Sequence, residues 1–297
     1  MAVAVVHTKV STIPDSQDTS LIRPSDWNAS HTLNGVTAKG LELLEAADAA
    51  GVRTAAGLET ILRSYIRGLC VTRSTTTAIS VSAGEYWDDT QGLIVSYAGG
   101  TSSPALVANT MYSVFLANGV VEVFAENPPS AIYAGTARKR ATGNGGRFIG
   151  CFRTNGSSQI YNQYCDETAH GGAVVTYSDA SQDGGTGPFR VLSAGSAVAY
   201  TAVSLLNIAP RYATTEVQIV LFAGYTGAGA ASVTVNVSRD NVGLHGSIDS
   251  YIASAGSAFP RTTLGCPVDA SVPQIQYRVN AATHRAYIDV VGYRFTR

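Results

Sequence analysis

The chain has 297 residues, with 20 basic and 21 acidic side chains and a formal net charge of −1. This balance, without long runs of one charge, gives no electrostatic support for a nucleic-acid partner or an anionic membrane surface. Charged residues make up only 14% of the chain, whereas ordinary soluble domains have roughly 25%. The length exceeds that of one typical domain of roughly 100 to 200 residues, so we expect two globular modules and a small anchor.

The composition favours β-structure. It includes 30 glycines and 15 tyrosines together with abundant Val and Thr, which is typical of strands joined by tight turns. Two uncharged runs, residues 90–121 and 191–210, reach membrane-spanning length, but Gly, Ser and Asn interrupt them and consecutive strands explain both better than membrane insertion. The N-terminus lacks the basic region of a signal peptide, so we expect assembly in a cytosol. Widely separated cysteines are expected to be free buried thiols: Cys70, Cys151, Cys165 and Cys266.

The first part of the chain is predicted to be an arm followed by a helix. Residues 1–36 have no strand or helix period, and their prolines and cap-type side chains predict an extended arm. Residues 37–66 are predicted to be a short helical linker, with one helix from about Gly40 to Ala50 that Gly51 stops. Val52, Ala55 and then Gly57 predict a second short turn of helix. The apolar face is narrow and Ala-rich, which permits close approach of symmetry copies, so we predict a homotrimer. We place the trimer contacts at Leu43, Ala47, Ala50 and Leu58.

Residues 67–167 are predicted to form a first β-sandwich module. Two strand-like runs flank Asn118-Gly119, and this pair indicates a type I′ hairpin turn because both central residues of that turn need positive φ. A second pair, Asn155-Gly156, predicts a similar hairpin between residues 147–154 and 157–164.

Residues 168–297 are predicted to form a second β module after a Gly- and Asp-rich interval. Alternating apolar residues predict strands around residues 217–221, 233–237, 275–279 and 286–290. The predicted fold class is therefore mainly β, with an N-terminal extended arm and short helix followed by two β-sandwich or jelly-roll-like modules.

Candidate catalytic and metal-binding groups are sparse. Segment 85–89, Glu-Tyr-Trp-Asp-Asp, has the composition of a sugar platform, but a strand end with a solvated turn is the favoured interpretation. Neighbouring Asp88 and Asp89 would point to opposite faces of a strand and so cannot flank one glycosidic bond. Segment 179–187 lacks the alternating oxygen ligands of a calcium loop, and the histidines have no metal-binding spacing. We therefore expect no enzyme activity, no catalytic residue, no metal and no cofactor.

Tyrosine is enriched in the second module. Tyrosine at loop tips suits the binding of glycans or protein loops, because its ring is rigid and amphipathic. We expect Tyr225, in the Gly-rich loop 224–229, and Tyr251 to be exposed, and we assign surface binding to them.

One N-terminal stretch reads Arg23-Pro-Ser-Asp-Trp27-Asn-Ala-Ser-His31-Thr32. With the preceding residues from Ile13 and the Ala-rich segment 43–58, it resembles the N-terminal signature of tailed-bacteriophage virion proteins, especially tail-fibre and tail-associated proteins. Residues 112–124 and 147–156 are similar to a small β-sandwich of the same proteins, although a basic triplet at 138–140 stands apart from the Ile-Gly step that it usually joins. The resemblance covers about the first 165 residues.

The resemblance implies a structural virion protein that is assembled in the host cytoplasm and has no enzymatic role. Its arm would dock on other virion proteins through Arg23, Trp27 and His31. Its C-terminal module would bind a host-surface glycan or protein through Tyr225 and Tyr251, with weak contacts on several copies of the homotrimer adding together.

Two alternatives belong to other functional classes. The chain could be a capsid decoration protein or head fibre that stabilises the shell without a ligand. It could also be a depolymerase that cleaves surface polysaccharide, although no spacing of carboxylates selects a catalytic pair.

Overall fold

The computed structural model describes residues 4–5, 31–32, 37–46, 49–143, 145–168, 171–179, 188–240, 244–253 and 260–297. The chain is mainly β, with several antiparallel sheets and a few short helices, which confirms the predicted fold class. It divides into two compact units, Met1–Ile61 and Leu62–Arg297. None of the helices in the described part combines the length and apolar character needed to span a bilayer.

The first unit contains a short antiparallel pair, Ala4–Val5 (β1) with His31–Thr32 (β2). Helices Ala38–Glu45 (α1) and Ala49–Ala55 (α2) follow, and Glu59–Ser64 (α3) continues into the second unit. Thr37 caps α1, since its hydroxyl accepts a hydrogen bond from the Gly40 amide at 3.2 Å.

The helical segment contains a helix and a second short helix, as predicted, but Gly51 does not separate them. The first helix ends at Ala46, which has extended backbone angles, and Gly51 lies inside α2. A glycine ends a helix when it takes the left-handed conformation. Gly57, after α2, takes that conformation with φ of 71°, so the stop signal belongs to Gly57.

The second unit begins with short strands and hairpins. In chain order its first strands are Ile66–Gly68 (β3), Val71–Thr75 (β4), Ala78–Val81 (β5), Gly84–Asp88 (β6), Leu93–Tyr97 (β7), Gly100–Ser102 (β8), Met111–Ala117 (β9), Val120–Phe124 (β10), Ile132–Ala134 (β11), Ala137–Arg138 (β12), Arg147–Arg153 (β13) and Gln163–Glu167 (β14). They form three-stranded sheets β3-β6-β7, β4-β5-β8 and β10-β9-β13, and a β11-β12 pair.

Longer strands follow in the rest of the unit. They are Ala173–Tyr177 (β15), Arg190–Gly195 (β16), Thr201–Ser204 (β17), Thr214–Tyr225 (β18), Ala231–Ser238 (β19), Gly246–Ile252 (β20), Arg261–Pro267 (β21), Gln274–Val279 (β22) and His284–Phe295 (β23). The large sheet has the order β14-β15-β23-β18-β21, with β16 also paired to β23. The second sheet has the order β17-β22-β19-β20.

These two sheets form a sandwich because their apolar residues alternate as the sequence predicts. Residues 217, 219 and 221 on β18 and residues 286, 288 and 290 on β23 are buried. Their side chains share one core with residues 233, 235 and 237 on β19 and residues 275, 277 and 279 on β22. The β17-β22-β19-β20 sheet leaves its other face for solvent or a partner. The large sheet is covered on part of its other face as well, since Val220, Phe222 and Asp289 are also buried.

The hairpin at Asn118-Gly119 is confirmed. Strands β9 and β10 pair from Ala117 opposite Val120 to Ser113 opposite Phe124. Asn118 and Gly119 have φ of 50° and 76°, as a type I′ turn requires.

The turn at Asn155-Gly156 is wider than the predicted two-residue hairpin turn, because Thr154 pairs antiparallel with Ile160. The Asn155 side-chain oxygen accepts hydrogen bonds from the Ser157 and Gln159 amides at 2.9 Å, and Ser158 takes the positive φ of 58°. The return along β13 ends with the Tyr161 amide, which donates to the Arg153 carbonyl at 3.0 Å, and the following strand β14 pairs with β15 in the large sheet.

The two predicted β modules lie in one compact unit, residues 62–297. The predicted boundary between residues 167 and 168 falls between β14 and β15, which pair with each other. Phe148 of β13 packs edge-on against Phe295 of β23, with ring centroids 6.1 Å apart, and both belong to the sandwich core. The core therefore continues across the predicted boundary.

Candidate functional site

The outer face of the β17-β22-β19-β20 sheet presents polar side chains to solvent. In β19 the buried valines alternate with outward-facing Ser232, Thr234 and Asn236. Register places Asn236 between Arg278 of β22 and Ser247 of β20. We call this surface the polar face; its outward residues are Ala202, Ser204, Ser232, Thr234, Asn236, Ser247, Asp249, Tyr251, Gln274, Gln276 and Arg278.

The polar face carries few charges, and hydroxyl and amide groups dominate it. Asp249 lies opposite Thr234. The Arg278 guanidinium lies over the Tyr200 ring, 4.8 Å from the centroid, which holds this long side chain against the sheet. Rows of Ser, Thr, Asn and Gln offer both donors and acceptors on a rigid β scaffold. That chemistry matches a ligand made mainly of hydroxyl groups.

Tyr251 lies at the edge of the polar face, and its predicted exposure is confirmed. It is 73% exposed and stands in the edge strand β20, opposite Ser232. An exposed ring beside hydroxyl groups offers a flat apolar surface with hydrogen-bonding neighbours.

Tyr225 is half-buried, which corrects the prediction that it is exposed. Its hydroxyl donates to the Ala228 carbonyl at 3.1 Å, and its ring packs edge-on against His284 with centroids 5.7 Å apart. A Cβ on Gly227 would lie 2.3 Å from the Tyr225 hydroxyl, so the loop folds over the ring only because residue 227 is glycine. Tyr225 therefore shapes its loop from within.

The loops at this end of the sandwich are hydrogen-bonded together. The Thr226 amide donates to the Thr283 carbonyl at 3.0 Å. The Asn280 side-chain oxygen accepts from the Thr234 amide at 3.0 Å and also contacts the His284 ring. Burial and the nearby Arg285 charge lower the pKa of His284, which favours its neutral form. These contacts give the end of the polar face near Tyr251 a fixed shape.

A second candidate is a narrow cleft lined by Tyr86, Asp88, Asp89, Thr90, Leu116, Ala117, Tyr133, Gly145, Gly146 and Arg147. Asp88 is only 4% exposed and accepts hydrogen bonds from the Thr90, Gln91 and Asn118 amides at 2.9–3.2 Å. Asp89 is held by Arg63, at 2.8 Å, and by Lys139. Both carboxylates thus connect chain segments, Asp88 through hydrogen bonds and Asp89 through ion pairs. The cleft therefore does not present a glycosidase pair.

The charges around Tyr133 form a structural cluster beside this cleft. Arg63, Lys139 and Arg147 place their charged groups 5.4, 5.1 and 5.6 Å from the ring centroid. The Arg147 guanidinium also donates to the carbonyls of Arg63 and Ser64 at 2.9 and 3.0 Å. Burial lowers the pKa of Arg147, and its acceptors offset the cost of burying that charge.

Most of the predicted docking and trimer residues either lie outside the described part of the chain or are described without their side chains. Arg23 and Trp27 lie outside the described residues, and of His31 only the backbone is described, in β2 opposite Val5. Ala47 also lies outside them, and Ala50 is described as part of α2 without its side chain. Leu43 and Leu58 are 38% and 44% exposed.

The remaining candidate ligands do not assemble into a metal site in the described part of the chain, where no group of three or more His, Cys, Asp or Glu could hold an ion. His245 is exposed, and His170 lies outside the described residues, as do residues 180–187.

All four cysteines are free. Cys151, Cys165 and Cys266 are buried and Cys70 is half-buried, so the expectation of free buried thiols is confirmed for three of them.

Most of the polar face was not predicted from the sequence. The apolar alternation of 233–237 and 275–279 predicted only the buried residues. The same alternation marks the intervening polar residues as one outward face. Their cross-strand neighbours, however, depend on the pairing of β19 with β20 and β22, which local patterns do not specify.

No family model and no curated protein matches the chain. Among solved structures, it is similar to a carbohydrate-binding module of Cellvibrio mixtus lichenase 5A in complex with cellotriose, at 15% identity over 44% of this chain and 86% of that one, with a TM-score of 0.21. It is also similar to the tandem CBM22 domains of Paenibacillus barcinonensis Xyn10C, at 8% identity over 78% and 93% of the two chains, TM-score 0.21. A third is from infectious bursal disease virus, Gt strain, at 10% identity over 77% and 70%, TM-score 0.20. Scores this low carry no argument about function.

Proposed function

We propose that the chain is a structural virion protein of a tailed bacteriophage, a tail fibre or tail-associated protein, whose polar face binds a glycan of the host surface. The resemblance of residues 13–32 supports the virion role. The observation that carries the binding role is the polar face itself, a rigid row of hydroxyl and amide side chains with an exposed tyrosine at its edge.

A glycan is the ligand that fits this chemistry. Sugar hydroxyls both donate and accept hydrogen bonds, as do the Ser, Thr, Asn and Gln side chains of the face. The aliphatic face of a sugar ring can pack on the Tyr251 ring, which loses little conformational freedom on binding. Each contact is weak. A trimer on a particle binds through several copies at once, which raises the overall affinity through effective concentration.

Docking on the particle and self-association are assigned to the other end of the chain. Arg23, Trp27 and His31 of the arm dock on neighbouring virion proteins. Leu43 and Leu58 contact the other copies of the trimer, together with Val52 and Ile61, which are 42% and 68% exposed. Large exposed apolar side chains in so short a segment support burial against another copy.

The test is adsorption of particles that carry Tyr251→Ala. Loss of one stacked ring costs about 1 kcal/mol per site, so binding of the purified protein to host cells should weaken about fivefold, and particle adsorption should slow more because several copies act together. The matched control is Tyr164→Ala in the edge strand β14, which removes a ring that is 58% exposed but lies in the other sheet.

Equal adsorption by wild-type and Tyr251→Ala particles would contradict binding through the polar face. If removal of the whole protein also left adsorption intact but made particles fragile, the chain would be a shell-stabilising protein. Release of reducing sugar ends from host polysaccharide by the purified protein would instead establish a depolymerase.

A further inference from the structure

Strand β14 lies against the chain segment that joins β3 to β4. The Gln163 side-chain amide donates to the Val71 carbonyl at 3.4 Å. Four residues further along β14, the Glu167 carboxylate accepts a hydrogen bond from the Gly68 amide at 3.0 Å. Residues 163, 165 and 167 share one face of a strand, so the two contacts bracket the position that Cys165 faces, between Gly68 and Val71.

That position is occupied by Cys70. Its side chain is half-buried and packs on the core cluster to which Cys165 belongs. The bracketing contacts of Gln163 and Glu167 place the Cys70 and Cys165 side chains next to each other. Cys165 is 9% exposed, so of the two residues Cys70 is the more accessible.

A guanidinium stands beside the pair. Arg297 is fully buried and donates to the Gly68 and Leu69 carbonyls at 2.7 and 3.2 Å. It also lies 3.5 Å from the Glu167 carboxylate. Arg297 is thus bonded both to the segment that carries Cys70 and to the strand that carries Cys165, and it keeps the two together.

The groups around the two thiols shift their pKa values in opposite directions. The hydrogen bond from Cys165 and the charge of Arg297 lower the pKa of Cys70 to about 7, against the effects of burial and of the Glu167 and Asp166 carboxylates. The same hydrogen bond and burial raise the pKa of Cys165. The lowered pKa increases the share of Cys70 in the thiolate form, which is the form that attacks disulfides.

The other two cysteines provide an internal contrast. Burial raises the pKa of Cys151 to about 12, and burial together with Glu216 raises that of Cys266 to about 11. Both cysteines are also buried, so each thiol is unreactive and inaccessible.

We propose that Cys70 and Cys165 are a redox-active pair that closes into a disulfide on reaction with a low-molecular-weight disulfide. The Cys70 thiolate attacks one sulfur of the reagent, the reagent's S–S bond breaks, and one thiolate leaves. The Cys165 thiol then gives up its proton and its sulfur attacks Cys70, which expels the second reagent thiolate. Two protein thiols are oxidised to one disulfide, and one reagent disulfide is reduced to two thiols.

The new bond ties two distant parts of the chain. It closes a loop of about 95 residues, and it joins the β3–β4 connection to the edge strand of the large sheet. Closing so long a loop removes much of the freedom of the unfolded chain and should raise the Tm by roughly 5 °C or more.

The experiment exposes the reduced full chain to oxidised glutathione in oxygen-free buffer at pH 7.5 and maps disulfides by mass spectrometry of peptides kept under non-reducing conditions. We expect a Cys70–Cys165 cross-link and a raised Tm. In Cys165→Ser the glutathione adduct should stay on Cys70. In Cys70→Ser no adduct should form, and Cys266→Ser should cross-link as the wild type does.

Three results would overturn the proposal. In the first, the wild type accumulates a stable Cys70–glutathione adduct without a cross-link, which means that Cys165 does not resolve it. In the second, no thiol reacts. In the third, the cross-link forms but lowers the Tm, which means that the native fold does not accommodate it. The first two are read on the wild-type chain, so they do not depend on whether a variant folds.

Discussion

At the scale of single residues, Asp88 and Asp89 show how neighbouring carboxylates take different structural roles. Asp88 accepts amide hydrogen bonds from its own turn and from Asn118, and so it joins β6 to the β9–β10 hairpin. Asp89, the first residue after β6, binds Arg63 and Lys139. Each carboxylate replaces a missing backbone partner or pairs a charge, which leaves neither free for catalysis.

Asp89 gives the fold a pH-dependent contribution to stability. Burial alone would raise its pKa, but hydrogen bonds and charge from Lys139 and Arg63 outweigh burial and lower the pKa. A lowered pKa in the folded state means that the ionised form contributes stability above the unfolded-state pKa, and that this contribution is lost as pH falls through the folded-state pKa. We expect Asp89→Asn to cost about 1 kcal/mol at pH 7, with the difference from wild type shrinking below about pH 4.

The measurement is urea unfolding of both proteins from pH 7 to pH 3. The exposed Asp166→Asn is the control, and it should change the free energy of unfolding by less than about 0.5 kcal/mol at pH 7. A wild-type advantage that stays constant down to pH 3 would contradict the role assigned to the Asp89 charge.

At the scale of elements, the two Asn-Gly pairs differ in the conformation of their glycines. Gly119 has φ of 76°, and a Cβ added there meets nothing within 4 Å. Gly119→Ala should therefore cost about 1–2 kcal/mol through the backbone alone. Gly156 is not in the left-handed region, and its added Cβ comes no closer than 3.9 Å to Asn109, so Gly156→Ala should be neutral or slightly stabilising. Chemical denaturation measures both, and equal effects would refute the distinction.

The same comparison shows what could be predicted from the sequence. Strands such as β18, β19, β22 and β23 were predictable because side-chain alternation is a local property with a period of two. The β9–β10 hairpin was predictable because its turn needs Asn-Gly. The loop at Asn155 was not, since side-chain hydrogen bonds from Asn155 and the pairing of β14 with β15 determine it.

The site was predictable only in part, for the same reason. Tyr251 was identified correctly as an exposed ring. Tyr225 was not, because the contact that half-buries it comes from His284 on another strand. Cys70 and Cys165 likewise gave no sequence signal, since strand pairing and Arg297 bring them together.

At the scale of the whole molecule, the second unit is built around a core that crosses the predicted module boundary. Phe148 and Phe295 pack across it, and Arg297 is bonded to residues 68, 69, 167, 171 and 172. The polar face therefore rests on a body that includes both predicted modules. A rigid body of this kind suits the proposed function, because binding does not have to order the face first.

Self-association is assigned to the first unit, where Leu43, Val52, Leu58 and Ile61 are exposed. Burying side chains of this size contributes about 1.5–3 kcal/mol each when removal from water is complete. A chain of residues 62–297 keeps the Arg63 and Ser64 carbonyls that Arg147 binds, so it retains the contacts of the second unit. We expect the full chain to sediment as a trimer and residues 62–297 to associate at least tenfold more weakly.

Ile61→Asp should weaken the trimer as well, whereas Val272→Asp, at a residue that is 45% exposed in the second unit, should leave it intact. A trimer of residues 62–297 with unchanged affinity would move the contacts to the sandwich, and the polar face would then have to be tested as a subunit interface.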